Sequence, residues 1–214
     1  MILNKDNPSS EYLKLLKDYQ TMHKKGAANR SPKDTYNGLS TINFADILKK
    51  IIERNKCKTL FDYGSGKGDR YFNNSLLGSK DYPPLQDFWK IKPTLFDPGV
   101  PFPRPINNKL FDIAISIDVL EHIPTQDLGW VINEIFEYSK NIVFINVACY
   151  PSAAKLPNGN NAHVSIFDPW WWCGYISAIA SSYDKKVFVV CTYSKEGKKH
   201  FFSYAINDNF KNYT

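Results

Sequence analysis

Short apolar runs alternate with longer amphipathic stretches along this chain, and this alternation predicts an α/β fold. Apolar runs that predict strands lie at 58–62, 93–97, 111–118 and 141–149. The run at 111–118 is apolar at nearly every position, as expected for a strand of a parallel sheet that is buried on both faces. We therefore predict a doubly wound, mostly parallel sheet inside a three-layer sandwich.

The amphipathic stretches predict helices at 11–24, 40–55, 70–77, 126–139 and 169–182. Ser9 or Ser10 is available as the N-cap of the first helix, and Thr125 as the N-cap of the fourth. Two final apolar runs, at 185–193 and 200–206, flank a Lys-Glu-Gly turn and predict a closing antiparallel hairpin.

Two segments lack such periodicity. The polar segment 26–38 is expected to lie across the top of the domain, with a plain surface connector as the alternative. Segment 98–105 contains four prolines, which exclude a helix. Only thirteen residues separate Asp97 from Phe111, too few for a crossover helix and a further strand. We therefore expect the strand that normally follows the second one, the third-strand region, to be lost or shortened. We also expect an insertion at 78–92, before the second strand.

Length and composition set broad limits on the class of protein. A chain of 214 residues with 43% hydrophobic and 15% aromatic residues predicts one globular domain, with a covering part at 1–39 and a core at 40–206. The chain has no apolar run as long as a membrane span, and its first residues do not resemble a secretion signal. We expect a cytoplasmic protein with no membrane partner.

Charge and cysteine content add little. The net charge of +6 permits an anionic partner, but the lysines are scattered, so charge alone does not choose between nucleic acid, an anionic glycan and neither. Cys57, Cys149, Cys173 and Cys191 are far apart and form no Cys-x-x-Cys pair, which disfavours a zinc site. We expect reduced core thiols and predict no metal ligands.

The first strand runs into a glycine-rich turn, Asp62-Tyr-Gly-Ser-Gly-Lys-Gly68. Alternating glycines after a buried acidic residue predict close approach of the backbone to a ligand, most simply a nucleoside. A Walker loop is excluded because Lys67 is followed by glycine rather than a hydroxyl residue, and a dinucleotide fingerprint is weak because Asp69 replaces its third glycine. An ordinary turn without a ligand is the remaining alternative.

Two acidic residues end later strands. In nucleotide-binding α/β sheets an acid at the end of the second strand commonly binds the ribose hydroxyls, and Asp97 is the candidate here. The strand at 111–118 ends in Asp118-Val-Leu-Glu-His122. A turn cap is the alternative role for Asp118, and a polar pair that starts a helix is the alternative for Glu121 and His122.

Leu60-Phe-Asp-Tyr-Gly-Ser-Gly-Lys-Gly68 and Phe111-Asp-Ile-Ala-Ile-Ser-Ile-Asp-Val-Leu-Glu-His-Ile123, in this order, resemble class I S-adenosylmethionine-dependent methyltransferases. The resemblance covers roughly 40–206 and implies a Rossmann-like fold. Leu156-Pro-Asn-Gly-Asn-Asn-Ala-His163 and the later Trp-Trp resemble a bacterial and phage-type subgroup of small methyltransferases. S-adenosylmethionine is the implied cofactor, and the implied binding residues are Asp62, Gly64, Ser65, Gly66, Gly68, Asp97, Pro98, Asp118, Val119 and Leu120.

The predicted topology brings His122 and His163 to the carboxyl ends of the strands, where open α/β sheets bind ligands. His163 is the candidate general base, with a loop histidine that bonds backbone as the alternative, and His122 is expected near the cofactor. Tyr150, Asn161 and Trp170 to Trp172 are expected to shape the acceptor pocket, at least one indole lining a cleft or an interface.

The predicted function is methyl transfer to a small-molecule or glycan-type acceptor. Two alternatives stay open: a nucleic-acid or protein methyltransferase, and an S-adenosylmethionine-binding protein without transferase activity. A continuous basic surface beside the cleft would favour a nucleic-acid substrate.

Overall fold

The structure is a computed structural model that describes residues 2–27, 30–105 and 109–213. Its helices are α1 (Ser10–Lys25), α2 (Leu39–Ile42), α3 (Ala45–Arg54), α4 (Asp69–Phe72), α5 (Leu85–Trp89), α6 (Leu128–Tyr138) and α7 (Pro169–Ala180). Its strands are β1 (Leu60–Tyr63), β2 (Ser75–Leu77), β3 (Lys80–Tyr82), β4 (Pro93–Phe96), β5 (Phe111–Ile117), β6 (Ser139–Ala148), β7 (Lys186–Lys195) and β8 (Lys198–Ile206).

Six of these strands form one sheet in the order β4-β1-β5-β6-β7-β8. The neighbours from β4 to β7 pair in parallel, and β8 pairs antiparallel with β7 at the edge of the sheet. A separate antiparallel pair, β2-β3, lies in the predicted insertion region. These pairings confirm an α/β fold whose mostly parallel sheet ends in an antiparallel hairpin.

Helices cover both faces of the sheet, because side chains alternate between the faces along each strand. In β6, Val143 and Ile145 belong to a buried apolar cluster with residues of α6 and α7. Ile142 and Phe144 of the same strand belong to a second cluster with residues of α3 and α5. The sheet therefore lies between two helical layers, as the apolar strand at 111–118 predicted.

The third-strand region is shortened, as predicted. Beyond β4, the described residues 97–105 and 109–110 contain no helix or strand. Arg104 fastens this proline-rich segment to α6 by an ion pair with Glu134. Glu134 also accepts a hydrogen bond of 2.9 Å from the hydroxyl of Tyr63 in β1. The segment is thus attached to the core by a charged side chain rather than by strand pairing.

The predicted helix at 70–77 is wrong. Only α4, a single turn, forms there, because Asn73 adopts an extended conformation (φ −128°, ψ 149°). The chain then turns at Gly78, whose φ of 61° suits a glycine, into the β2-β3 hairpin.

Two further predictions about helices need correction. The expected helix at 40–55 is divided at Asn43 and Phe44 into α2 and α3. Thr125 does not cap α6; it begins a short 3-10 turn, and its hydroxyl lies 3.1 Å from that of Ser165. The predicted cap of α1 is confirmed, since the Ser9 hydroxyl accepts a hydrogen bond of 3.0 Å from the backbone N–H of Tyr12.

The cysteines are free thiols, as expected, with Cys57, Cys173 and Cys191 buried and Cys149 partly buried. Within the described residues, the helices are all too short or too polar to cross a bilayer.

We expect Arg104→Ala to destabilise the protein by roughly 1 to 3 kcal/mol, because the buried carboxylate of Glu134 would lose its cationic partner. Denaturant unfolding measures this change. Lys80→Ala, which removes an exposed ion pair to Asp46, is the matched control and should change stability much less. Equal effects of the two substitutions would contradict a structural role for the Arg104 pair.

Candidate functional site

The backbone N–H groups of the glycine loop that follows β1 all donate hydrogen bonds within the protein. Gly64 and Ser65 donate to the carbonyl of Phe96, Gly66 to Asp97 Oδ2, Lys67 to the carbonyl of Tyr36, and Gly68 to the carbonyl of Ser65, at 2.7 to 3.1 Å. These bonds leave the loop no free amide for a phosphate, which agrees with the rejection of a Walker loop.

The glycines are required by the packing of the protein on itself. A Cβ at Gly64 would lie 2.3 Å from Val119 Cγ2, and one at Gly66 would lie 2.3 Å from the carbonyl oxygen of Tyr36. Both glycines have positive φ, at 84° and 57°. Packing within the protein therefore requires glycine at both positions, and the expected approach of a ligand to this backbone stays a prediction.

Asp97, at the end of β4, joins the glycine loop to the segment that follows the strand. Its carboxylate accepts N–H groups from Gly66 (2.8 Å) and Gly99 (2.7 Å). Burial raises the pKa of Asp97, and these two hydrogen bonds act in the opposite direction. An ionised carboxylate has about four lone-pair sites, so Asp97 keeps capacity for two further donors.

A cleft of about 660 Å³ opens at the carboxyl ends of β1, β4 and β5. Predicted site residues that line it are Gly64, Ser65, Gly66, Asp97, Pro98, Asp118, Val119, His122 and His163. Tyr150 lines it as well. Most of the residues predicted for a cofactor therefore lie around one open space.

Three predicted cofactor residues lie outside the lining of this cleft. Leu120 is fully buried in the apolar core, and Gly68 faces the side chain of Leu95. Asp62 is buried and accepts a hydrogen bond of 2.7 Å from the Tyr71 hydroxyl. Asp62 therefore helps to fix the turn, and neither Gly68 nor Leu120 lines the cleft where the cofactor contact was expected.

The N-terminal part of the chain covers the cleft, as expected for segment 26–38. The Lys67 ammonium donates to the carbonyls of Thr35 (2.6 Å) and Pro32, which holds the described part of this segment on the glycine loop. Tyr36 thereby lies over the cleft, with its ring centroid 5.0 Å from that of His23 in α1. Segment 30–38 and α1, together called the cover, thus form part of the cleft wall.

The sequence reasoning missed the lining residues of α1, which are Tyr12, Leu16, Tyr19 and His23. Their spacing along one helix face was the available signal, but it does not distinguish a face on the core from a face on a cleft. Burial, with Lys67 nearby, lowers the pKa of His23 to about 4, so this imidazole is neutral at pH 7.

A polar cluster occupies the other side of the cleft, at the end of β5. Asp118, with φ 60°, accepts a hydrogen bond of 2.6 Å from the Ser40 hydroxyl. Glu121 is fully buried and accepts the N–H of Ala148 at 3.0 Å. Burial and the neighbouring Asp118 raise the pKa of Glu121 well above its usual range.

The imidazoles of His122 and His163 lie beside these carboxyl groups, with ring centroids 4.7 Å apart. His122 Nδ1 bonds the carbonyl of Ala162 at 2.9 Å, and His163 Nδ1 bonds the carbonyl of Tyr150 at 2.6 Å. Burial lowers the pKa of both groups, that of His122 to about 4. Each imidazole is therefore neutral, with Nε2 left as the nitrogen that can bind a ligand.

The other residues expected around an acceptor lie away from the cleft lining. Asn161 Oδ1 accepts the N–H of Ser152, so its side chain shapes the loop. Trp172 is buried, and Trp171 stacks on Phe167 with ring centroids 3.8 Å apart. Trp170 is 72% exposed. The three indoles therefore do not form an acceptor pocket with the cleft.

Comparison of the chain with protein-family models, with curated proteins and with solved structures finds no match. The function of the cleft has to be inferred from its own residues.

Gly66 and Gly78 have nearly equal φ, 57° and 61°, but only Gly66 is crowded. We expect Gly78→Ala to cost about 1 kcal/mol through its positive φ alone. Gly66→Ala should cost roughly 1 to 3 kcal/mol more, because the new methyl group meets the Tyr36 carbonyl. Denaturant unfolding of both variants tests this, and equal losses would show that the cover is not seated on the loop.

Burial raises the pKa of Asp62 to about 7, well above that of an aspartate in the unfolded chain. Between about pH 4 and 7 the folded state therefore binds more protons than the unfolded state, and the free energy of unfolding falls as the pH rises. Asp62→Asn removes this effect. Its unfolding free energy relative to the wild type should increase from pH 5 to pH 8 by roughly 2 to 3 kcal/mol.

Asp112→Asn is the control for this experiment. Burial acts to raise the pKa of Asp112, but hydrogen bonds from the backbone N–H groups of Lys58 and Thr59 outweigh burial and lower it. Its substitution should change stability by the same amount at pH 5 and pH 8. A flat difference for Asp62→Asn would mean that Asp62 titrates normally.

Proposed function

We propose that the protein is a class I S-adenosylmethionine-dependent methyltransferase with a Rossmann-like core. The observation that carries the proposal is the position of Asp97: its carboxylate lies at the edge of an open cleft, directly beside the glycine loop, with two lone-pair sites uncommitted. An acid so placed suits the two hydroxyls of a ribose. The cleft volume of about 660 Å³ falls within the range of small-molecule sites.

The residues around this space fit the proposed cofactor. The loop from Gly64 to Gly66 forms one wall of this space, and the Val119 side chain forms an apolar one. Asp97 would bind the ribose, and Pro98 lies beside it in the lining. Asp118, whose pKa is held below its usual range because its hydrogen bonds outweigh burial, supplies a negative charge for a cationic cofactor.

S-adenosylmethionine carries an activated methyl group on a sulfonium, so the protein has only to align an acceptor with it. His122 and His163 face the part of the cleft that Tyr150 and Lys199 also line. Burial lowers the pKa of both imidazoles, which leaves each Nε2 with a free lone pair, and we assign this side of the cleft to the acceptor.

The charges of the cleft favour a small polar or glycan-type acceptor over a nucleic acid. Its lining combines the cations Arg30 and Lys199 with the acids Asp34, Asp97 and Asp118. A groove that follows a phosphate backbone is expected to be predominantly basic. The cover formed by Tyr36 and α1 also narrows the approach to the cleft.

Calorimetry with S-adenosylmethionine and with S-adenosylhomocysteine tests the proposal. We expect each to bind once per chain, and NAD to give no heat of binding. Asp97→Asn should weaken both affinities by roughly 10- to 100-fold, because a charged acceptor of two ribose hydroxyls is lost.

Asp34→Ala is the matched control, since Asp34 also lines the cleft but belongs to the exposed cover. Its affinity should stay within about threefold of the wild type. Circular dichroism checks that both variants fold. Absence of binding to the wild-type chain would exclude the proposed enzyme, and equal losses in both variants would exclude the ribose role of Asp97.

A further inference from the structure

A second feature of the cleft is a group of potential metal ligands at the end of β5. One ligand atom from each of Glu121, His122 and His163 lies within 4.8 Å of the other two. The two imidazoles line the cleft, and Glu121 is buried behind them. Two imidazoles and one carboxylate form a ligand set that suits divalent transition metals.

The histidines are oriented as metal ligands usually are. Both Nδ1 atoms bond backbone carbonyls, those of Ala162 and Tyr150. Such outer hydrogen bonds fix the tautomer and the ring orientation and leave Nε2 with its lone pair for a metal. Among the described residues, neither Nε2 has a hydrogen-bond partner.

Glu121 supplies the most direct sign of a missing partner. One of its carboxyl oxygens accepts the N–H of Ala148, but the other, Oε2, is fully enclosed and receives no hydrogen bond from the described residues. Enclosing a carboxylate oxygen without a donor is costly, and a bound cation would remove that cost.

The ligands are held together by the backbone. The carbonyl of Glu121 accepts N–H groups from Val164 (2.8 Å) and Ser165 (3.0 Å). This joins the turn that carries Glu121 and His122 to the loop that carries His163. Around one ion with bonds of about 2.0 to 2.2 Å, ligand atoms lie about 3 to 4 Å apart, so the group needs only a small closure.

We propose that Glu121, His122 and His163 bind one divalent transition-metal ion, with its remaining coordination positions open to the cleft. Asp118, three residues before Glu121, lines the same cleft and adds a second carboxyl group near the site. The role of the ion rests on the proposed function: its open positions face the acceptor, and a metal lowers the pKa of a hydroxyl group bound to it. The acceptor atom is then an oxygen.

The test uses the full chain, stripped with a chelator and titrated with Co²⁺ while the visible spectrum is recorded. We expect one Co²⁺ per chain, displaced by Zn²⁺. His163→Gln and Glu121→Gln should each weaken Co²⁺ binding by more than roughly 100-fold, which exceeds the usual effect of losing an outer-sphere partner. His200→Gln removes an exposed histidine on β8 and is the matched control, with binding unchanged.

A wild-type chain that binds no stoichiometric Co²⁺ would overturn the proposal. So would unchanged binding in His163→Gln, or lost binding in His200→Gln. X-ray absorption of the Zn²⁺-loaded wild type needs no variant: two imidazoles with oxygen ligands support the site, whereas sulfur ligands would place the ion at the cysteines instead. The Co²⁺ titration is done without S-adenosylmethionine, so the two proposals can fail separately. A chain that binds Co²⁺ but not S-adenosylmethionine would exclude only the proposed function. A chain that binds S-adenosylmethionine but not Co²⁺ would exclude only the metal site.

Discussion

The carboxylate of Asp97 is the contact on which the shape of the cleft depends. By accepting N–H groups from Gly66 and Gly99, it fixes the glycine loop against the segment that leaves β4. Neither segment belongs to a helix or a strand, so without this bridge their backbone N–H groups would need other partners. The same carboxylate lines the cleft, and one side chain therefore both holds the wall together and forms part of its surface.

The cover depends in turn on the glycine loop. Lys67 donates its backbone N–H to Tyr36 and its ammonium to Thr35, so a residue inside the loop holds the cover from below. Gly66 permits this contact because no Cβ stands between the loop and the Tyr36 carbonyl. The glycines thus allow close packing between the loop and its neighbours, and the cleft lies beside the loop.

The strands and the acids that end them were predictable, because long apolar runs closed by Asp97 and Asp118 leave few alternatives to buried parallel strands. The β2-β3 hairpin was not predicted and a helix at 70–77 was expected instead, because the spacing of apolar residues does not detect the turn at Gly78. His23 was missed for another reason: the periodicity of α1 shows which residues share a face, but not that this face borders a cleft rather than the core.

Two residues of the cleft wall have a left-handed backbone conformation. Positive φ occurs among the described non-glycine residues at Tyr36, Lys56, Lys90, Asp118, Glu196 and Asn207. Tyr36 and Asp118 are the members of this set that line the cleft, one in the cover and one at the end of β5. A left-handed conformation costs about 1 kcal/mol or more for such residues and persists only where surrounding contacts impose it. The Lys67 N–H bonds the Tyr36 carbonyl and the Ser40 hydroxyl bonds Asp118, so contacts with neighbouring residues hold both parts of the cleft wall in these conformations.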